Sequence, residues 1–225
     1  SGTYIASGAM LDVGCDWTVG GTRYNDNLNL GAEEFTVSGS GIGGMGVIVN
    51  NGTSNQMSAV QRVLLADDAA FGGTRRWDIR SGYLFLNDHT LTKTGASEIA
   101  LVSVPLYPGS GHVVVNQGLL RFESSLSVNG TAANTATVNT GASLELYNLS
   151  PFEPKWSLIL NDRSFFRGSG TVFTTNYNNW VGPVTLNGTV FMNGAADRIN
   201  WTISGEVSGS GTLVKAGNNA STLLL

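Results

Sequence analysis

The segment GHVVVNQGLLRFESSL, residues 111–126, places two short β-type runs on either side of Asn116-Gln117-Gly118. Such a loop between two β-runs is typical of a hairpin. The same phrase recurs along the chain, however, always as apolar, any residue, apolar, Asn. Its asparagines are Asn50, Asn87, Asn116, Asn139, Asn161 and Asn187, separated by 37, 29, 23, 22 and 26 residues. Periods of this size are typical of a solenoid and not of a series of hairpins.

The repeat predicts an all-β fold, a single-stranded right-handed parallel β-helix, with coils of roughly 22–26 residues through 113–192. Asn suits the corners because it tolerates the left-handed backbone region and can bond to the stacked Asn of the next coil. Gly118 and Gly141, two residues after their asparagines, supply a positive φ without steric cost. Asn116, Asn139 and Asn161 are therefore expected at equivalent corners of successive coils.

One β-helix body is expected over residues 1–225. Segments 14–34 and 148–156 are predicted to project from it as loops, the first polar and aromatic, the second containing two prolines that do not suit an interior strand. Window 55–66 has apolar residues at helical spacing, so a capping helix or a coil insertion stays open there.

Composition excludes several classes of protein. Charged residues make up only 12% of the chain, the net charge is −4, and no basic stripe is present, which argues against a nucleic-acid partner. No apolar run reaches the roughly 20 residues that span a bilayer. Cys15 is the single cysteine, so an internal disulfide framework and a multi-cysteine metal site are excluded.

Two stretches, TLTKTGASEIAL at 90–101 and GTLVKAGNNASTLLL at 211–225, both read Thr-Leu-x-Lys-x-Gly followed by a polar turn and a β-run. Together with AAFGGTRRWDIR at 69–80, VTLNGTVFMNG at 184–194 and TVNTGASLELYNL at 137–149, they resemble the passenger-associated transport repeat, also called the autotransporter-associated β-strand repeat. The resemblance covers most of the chain from about residue 35 onward. It implies an exported β-helix of the pectin-lyase-like kind, carried by a bacterial surface or secreted protein.

The second of these stretches ends at Leu223-Leu224-Leu225, inside the repeat. Terminal coils of solenoids normally carry a polar outer face or a cap. The sequence is therefore expected to be a fragment of a longer repeat protein, or to pack this end against another chain.

Carboxylates on neighbouring predicted coils raise the question of catalysis. They are Asp67, Asp68, Asp78 and Asp88, accompanied by His89, Arg75, Arg76 and Arg80. A glycosidase needs two carboxylates about 5–10 Å apart, and a lyase needs a base and usually a cation. Most of these aspartates fall at predicted turns, and the two histidines have no partner at ligand spacing. We therefore expect no catalytic residue, no cofactor and no metal site.

Aromatic residues beside amides suggest glycan binding, because rings stack on pyranose faces and amides bond to hydroxyls. The candidates form two groups, one in the N-terminal loop and one in TTNYNNW: Trp17, Tyr24, Tyr177, Asn178, Asn179 and Trp180. The structural alternative is that these side chains cap the core or fill a loop.

The sequence favours a non-enzymatic, secreted or cell-surface solenoid that acts as a stalk, scaffold or adhesin, with a glycan or a host-surface molecule as its ligand. One alternative is a carbohydrate-active β-helix, either a polysaccharide lyase or hydrolase or a glycan-binding module. Another is a self-assembling fibre or surface-layer module that associates through its solenoid ends, where strand edges are unpaired.

Overall fold

The structure is a computed structural model and describes residues 2–14, 17–20, 22–24, 28–149, 153–170, 178–194, 200–217 and 222–224. Across these ranges the chain is almost entirely β, and the one helical element is a 3₁₀ turn at Ile42–Gly44. Among the described residues, no helix has the length and apolar character needed to cross a bilayer.

The strands, in chain order, are β1 (Thr3–Ile5), β2 (Leu11–Asp12), β3 (Trp17–Val19), β4 (Thr22–Tyr24), β5 (Glu34–Gly39), β6 (Ile48–Asn50), β7 (Gln56–Gly73), β8 (Trp77–Phe85), β9 (Thr90–Lys93), β10 (Glu98–Val102), β11 (Pro105–Tyr107), β12 (His112–Val115), β13 (Leu119–Glu123), β14 (Ser127–Val128), β15 (Thr135–Val138), β16 (Ser143–Tyr147), β17 (Ser157–Leu160), β18 (Phe165–Ser169), β19 (Asn179–Trp180), β20 (Val184–Leu186), β21 (Thr189–Gly194), β22 (Asn200–Ile203), β23 (Val207–Gly209), β24 (Thr212–Gly217) and β25 (Thr222–Leu224). Strand β7 covers most of window 55–66, so the helix considered there is wrong.

Equivalent strands of successive coils pair in parallel and form three faces. Face A runs through β2, β6, the end of β7, β9, β12, β15, β17, β20 and β23. Face B runs through the start of β8, β10, β13, β16, β18, β21 and β24. Face C contains β1, β5, the middle of β7, the end of β8, β11 and β14, and later β19, β22 and β25. The predicted β-solenoid is confirmed, with about seven turns.

The core follows from strict alternation along the short strands. On β12, Val113 and Val115 point inward and are fully buried, while His112 and Val114 are half-exposed. On β13 the inward pair is Leu120 and Phe122. Each such side chain contributes about 1.5–3 kcal/mol by leaving water. A long core of stacked aliphatic and aromatic side chains results.

The corner between faces A and B carries a ladder of amides. Asn139 Nδ2 donates to Asn116 Oδ1 at 2.5 Å, and Asn161 Nδ2 donates to Asn139 Oδ1 at 2.7 Å. Asn187 Nδ2 continues the ladder to Asn161 Oδ1 at 3.1 Å. These links join residues 23, 22 and 26 positions apart, which is the length of one coil each. Each amide thus bonds to the same group one coil away.

The other two asparagines of the repeat lie elsewhere. Asn50 ends β6 and donates from Nδ2 to the carbonyl oxygens of Ser54 and Arg76, at 2.9 and 2.8 Å. Asn87 has a φ of 49° and lies at the corner between faces C and A, where Nδ2 donates to Leu65 O at 2.9 Å. Both bond to backbone carbonyl oxygens, but neither belongs to the Asn116 ladder.

Positive φ angles also stack in columns. After the face A asparagines the left-handed position is held by Gly118 and Gly141, with φ of 68° and 77°. At the corner between faces B and C it is held by Ser81, Ser103 and Ser124, with φ of 58°, 52° and 63°. Asn148 and Gly170 continue that second column. Left-handed serine is uncommon, and its repetition shows that the coil geometry imposes it.

The two Thr-Leu-x-Lys stretches do not occupy equivalent positions. Lys93 pairs with Val115 on face A, whereas Lys215 pairs with Met192 on face B. The shared sequence pattern therefore does not place the two lysines at equivalent positions of the coil, although both stretches form strands.

Two segments were expected to project. Within 14–34, β3 and β4 form an antiparallel hairpin that is separate from the large sheet, with Trp17 opposite Tyr24. Within 148–156, Leu149 and Trp156 are buried in the core, and Trp156 Nε1 donates to Asn129 O at 2.6 Å. The described ends of this second segment are part of the solenoid wall, and residues 150–152 lie outside the described residues.

The amide ladder predicts a graded loss of stability. Asn139→Ala removes two inter-coil hydrogen bonds and should lower the free energy of unfolding by about 1–3 kcal/mol. Asn187→Ala removes one and should cost about half as much. Equilibrium urea unfolding measures both. Equal losses in the two variants would show that the amides do not act as a ladder.

Candidate functional site

The aspartates considered for catalysis separate into two places. Asp78 lies on face B, while Asp67, Asp68 and Asp88 lie near the corner between faces C and A. Asp88 Oδ1 accepts the backbone N–H of Ser110 at 2.6 Å and its hydroxyl at 3.1 Å. These hydrogen bonds lower the pKa of Asp88. Asp88 is thus an ionised turn residue that fixes the next coil.

Asp67, Asp68 and His89 form the one group among the described residues in which three side chains offer metal-ligand atoms within 4.8 Å of one another. Asp67 Oδ1 accepts the N–H of Asp68 at 2.8 Å, and Asp68 Oδ1 accepts the N–H of Thr90 at 2.7 Å. Both aspartates are exposed. The trio could hold a cation, and its observed hydrogen bonds are those of turn residues.

Face B carries a ladder of alternating charge on its outer side, here called the charged ladder. It consists of Arg76, Asp78, Arg80, Glu98, Arg121, Glu123 and Glu145. Arg76 lies at one end of the ladder and contacts three carboxylates. Its Nε is 2.9 Å from Asp78 Oδ1, and its Nη1 is 2.9 Å from Glu98 Oε1. Its Nη2 lies 3.0 Å from Glu123 Oε2, two coils away.

The ladder continues through Arg121. Its Nη1 lies 2.7 Å from Glu98 Oε1 and its Nε lies 2.7 Å from Glu145 Oε2. The guanidinium also stands over the Tyr147 ring, 5.2 Å from the centroid. Glu145 accepts a further hydrogen bond from Ser169 Oγ. The contacts therefore link β8, β10, β13, β16 and β18 across consecutive coils.

Burial sets the chemistry of the charged ladder. Asp78 and Glu145 are 0% and 2% exposed, because the neighbouring arginines cover them. Burial raises the pKa of Glu98, and Arg121 and Arg76 act in the opposite direction. Every carboxylate of the ladder lies within 3.0 Å of an arginine nitrogen, so the ladder pairs its charges within the protein.

Sequence reasoning found Asp78, Arg76 and Arg80 but missed the rest of the ladder. A signal was present: Arg121, Glu145 and Arg167 pair in register on β13, β16 and β18. They alternate in charge at one-coil spacing, and a search for charges at the period of the asparagines would have found them.

The aromatic-amide group of TTNYNNW is not a sugar platform where it is described. Trp180 is 0% exposed, and its Nε1 donates to Trp156 O at 3.1 Å. Asn178 is also buried, with Oδ1 accepting Leu149 N and Nδ2 donating to Ser169 O. A ring enclosed by the core offers no face to a pyranose, which corrects the expectation for these two residues.

The remaining glycan candidates are less informative. Asn179 is half-exposed, and its Oδ1 accepts Ser204 Oγ at 3.0 Å. Tyr177 lies outside the described residues. Trp17 and Tyr24 face each other across the β3–β4 hairpin by backbone register.

Lys93 is a buried cation that sequence reasoning did not single out. It occupies an inward position on face A, in the column of Val115 and Val138, and is 1% exposed. Its Nζ donates to three carbonyl oxygens at the corner, those of Thr94, Gly95 and Gln117, at 2.8, 2.8 and 3.0 Å. Burial lowers the pKa of Lys93 to about 7.

A hollow of about 410 Å³ lies on the outside of face A, here called the face A hollow. The glycine-rich loop 39–46 forms one wall, and the end of β7, β9 and the first Asn of the ladder form the floor and the other side. Its lining residues are Gly39, Ser40, Gly44, Asp68, Ala69, Ala70, Thr92, Thr94 and Asn116. A second hollow of about 240 Å³ shares Gly44 and Thr94 with the first and is also lined by Met45.

The chain matches no family model, no curated protein and no solved structure.

Lys93 predicts a pH dependence of stability. The unfolded chain keeps this proton up to about pH 10.5, whereas the folded chain releases it near pH 7. Between these values the unfolded state binds more protons, so raising the pH stabilises the fold, by at most about 1.4 kcal/mol per pH unit. Lys93→Met should remove this contribution, so the free-energy difference between wild type and variant should change across pH 7–10.5.

Chemical denaturation at a series of pH values measures this difference. Lys215→Met, at an exposed lysine on face B, is the matched control and should leave the slope unchanged. A Lys93→Met slope equal to that of wild type would show that Lys93 is not neutralised on folding.

Proposed function

We propose that this chain is a secreted or cell-surface β-solenoid that acts as a non-enzymatic stalk or scaffold. The observation that carries the proposal is the charged ladder. Its acids and arginines are paired with each other across consecutive coils, and Asp78 and Glu145 are buried beneath their partners. Such an arrangement stiffens a solenoid along its axis.

Two further features support a structural role. The amide ladder at the corner between faces A and B ties Asn116, Asn139, Asn161 and Asn187 together across successive coils, and Asn116 at its end borders the face A hollow. The outer column of face A is largely uncharged, passing through Thr92, Val114, Thr137 and Ile159. The resemblance to the autotransporter-associated repeat supports the extracellular location in this proposal.

The structural role of the charged ladder is tested by stability. Glu145→Ala leaves Arg121 without one of its carboxylates and should lower the free energy of unfolding by about 2–4 kcal/mol, below the full cost of a buried pair because Arg121 is partly exposed. Arg163→Gln, which removes the exposed pair with Asp162, is the control and should cost about 0–1 kcal/mol. Urea unfolding measures both variants, and similar costs would contradict the ladder's role.

The absence of catalysis is tested separately. The protein should release neither reducing ends nor unsaturated uronates from a panel of acidic and neutral polysaccharides. Asp78→Asn, Asp88→Asn and Glu145→Gln are the variants to compare. Cleavage by the wild type that any of these substitutions abolishes would establish a carbohydrate-active enzyme in place of the scaffold.

A further inference from the structure

The face A hollow is formed where loop 39–46 contacts the outside of the solenoid. A Cβ on Gly72 would lie 2.0 Å from Met45 O, so the loop contacts the sheet at a position where β7 has no side chain. Gly41 has a φ of 70°, and a Cβ there would lie 1.9 Å from Gly46 O. These glycines hold the loop close to face A, and the space beside the contact is the hollow.

The lining of the hollow is uncharged apart from one carboxylate. Ser40, Thr92 and Thr94 contribute hydroxyls, Asn116 contributes an amide and Ala70 contributes an apolar floor. Asp68 is fixed by the hydrogen bond from Thr90 N at 2.7 Å, and its second oxygen has no partner among the described residues. The hollow therefore offers both donors and acceptors around a small apolar patch.

This chemistry selects among ligands. No lysine or arginine lines the hollow, and Asp68 would repel a phosphate, a sulfate or a uronate. An apolar molecule would leave the hydroxyls and the carboxylate without partners, which is costly. Sugars present hydroxyls around an apolar ring face, and a volume of about 410 Å³ is in the range of small-ligand sites, enough for one or two sugar rings.

We propose that the face A hollow binds a neutral saccharide, with Asp68, Thr92, Thr94 and Asn116 bonding to its hydroxyls and Ala70 contacting a ring face. The inference does not depend on the scaffold function. Sugar binding tests the hollow, whereas the scaffold function is tested by stability and by the absence of cleavage. It places the ligand at a different position from the aromatic residues that the sequence indicates.

The column of Ala70 supplies conservative variants. Ala70 pairs with Thr92, which pairs with Val114, and the column continues through Thr137 to Ile159. Valine and isoleucine are thus already accommodated at this outward position of other coils. Thr92→Val removes a hydroxyl from the hollow, and Ala70→Ile fills it. Thr137→Val makes the same change as Thr92→Val outside the hollow and is the matched control.

The experiment is saturation-transfer NMR and titration of the 225-residue chain with glucose, galactose, mannose, N-acetylglucosamine, cellobiose and lactose, with N-acetylneuraminic acid and calcium chloride as separate arms. We expect at least one neutral sugar to bind with a Kd in the roughly millimolar range, as its small size implies. Thr92→Val should weaken this binding at least fivefold and Ala70→Ile should abolish it. Thr137→Val should leave it within twofold, and thermal unfolding checks that each variant folds.

Three results would overturn the proposal. They are saturation by none of the neutral sugars, equal weakening by Thr92→Val and Thr137→Val, and binding of N-acetylneuraminic acid or calcium alone. The last would assign the region to an acidic ligand or to a cation at Asp67, Asp68 and His89. Cleavage of a bound sugar would contradict the scaffold function while leaving the binding site in place.

Discussion

Parallel pairing between coils is the constraint on which the rest of the structure depends. It stacks each residue on the residue one coil away, at about 4.8 Å. Residues at the same position of successive coils therefore form a column, and neighbouring side chains in that column must be compatible with each other. Apolar side chains satisfy this inside, and amides satisfy it at the corner because each Asn both donates and accepts. Charges satisfy it only by alternation, since like charges directly opposite each other are destabilising. Arg121, Glu145 and Arg167 follow that rule on face B.

Lys93 shows how an exception to its column is accommodated. The same inward position holds Val115, Val138 and Leu160 in the next coils, and in every case it is the last residue of its strand. Because Lys93 lies at a strand end, its Nζ reaches the carbonyl oxygens of the turn. Gly118 lies beside it, where a Cβ would come within 2.9 Å of Nζ. The position is therefore built around the amine.

The period of the chain could be predicted from the sequence, whereas the direction of each side chain often could not. The spacing of Asn116, Asn139 and Asn161 gave the coil length, because asparagines at corners form a repeat that can be recognised in the sequence. Ser81, Ser103 and Ser124 form an equally regular corner, and all three have a positive φ. Serine is common in the chain, so a positive φ at these positions could not be recognised from the sequence. The sequence left Trp180 open between a sugar-binding surface and the core, because aromatic and amide residues together suit either. Its distance from Trp156, 24 residues, is one coil and favoured the core.

The charged ladder and the face A hollow illustrate opposite consequences of the same register. Within a regular face, polar groups pair with partners from the neighbouring coil. Few hydrogen-bonding groups of such a face are then left to bind a ligand. Loop 39–46 breaks that regularity, since its backbone leans on Gly72 and covers a few positions of the column without filling them. The hydroxyls of Thr92 and Thr94 and the carboxylate of Asp68 there face a concave space. The proposed binding site thus lies where loop 39–46 interrupts the repeat, while the regular strands supply its floor.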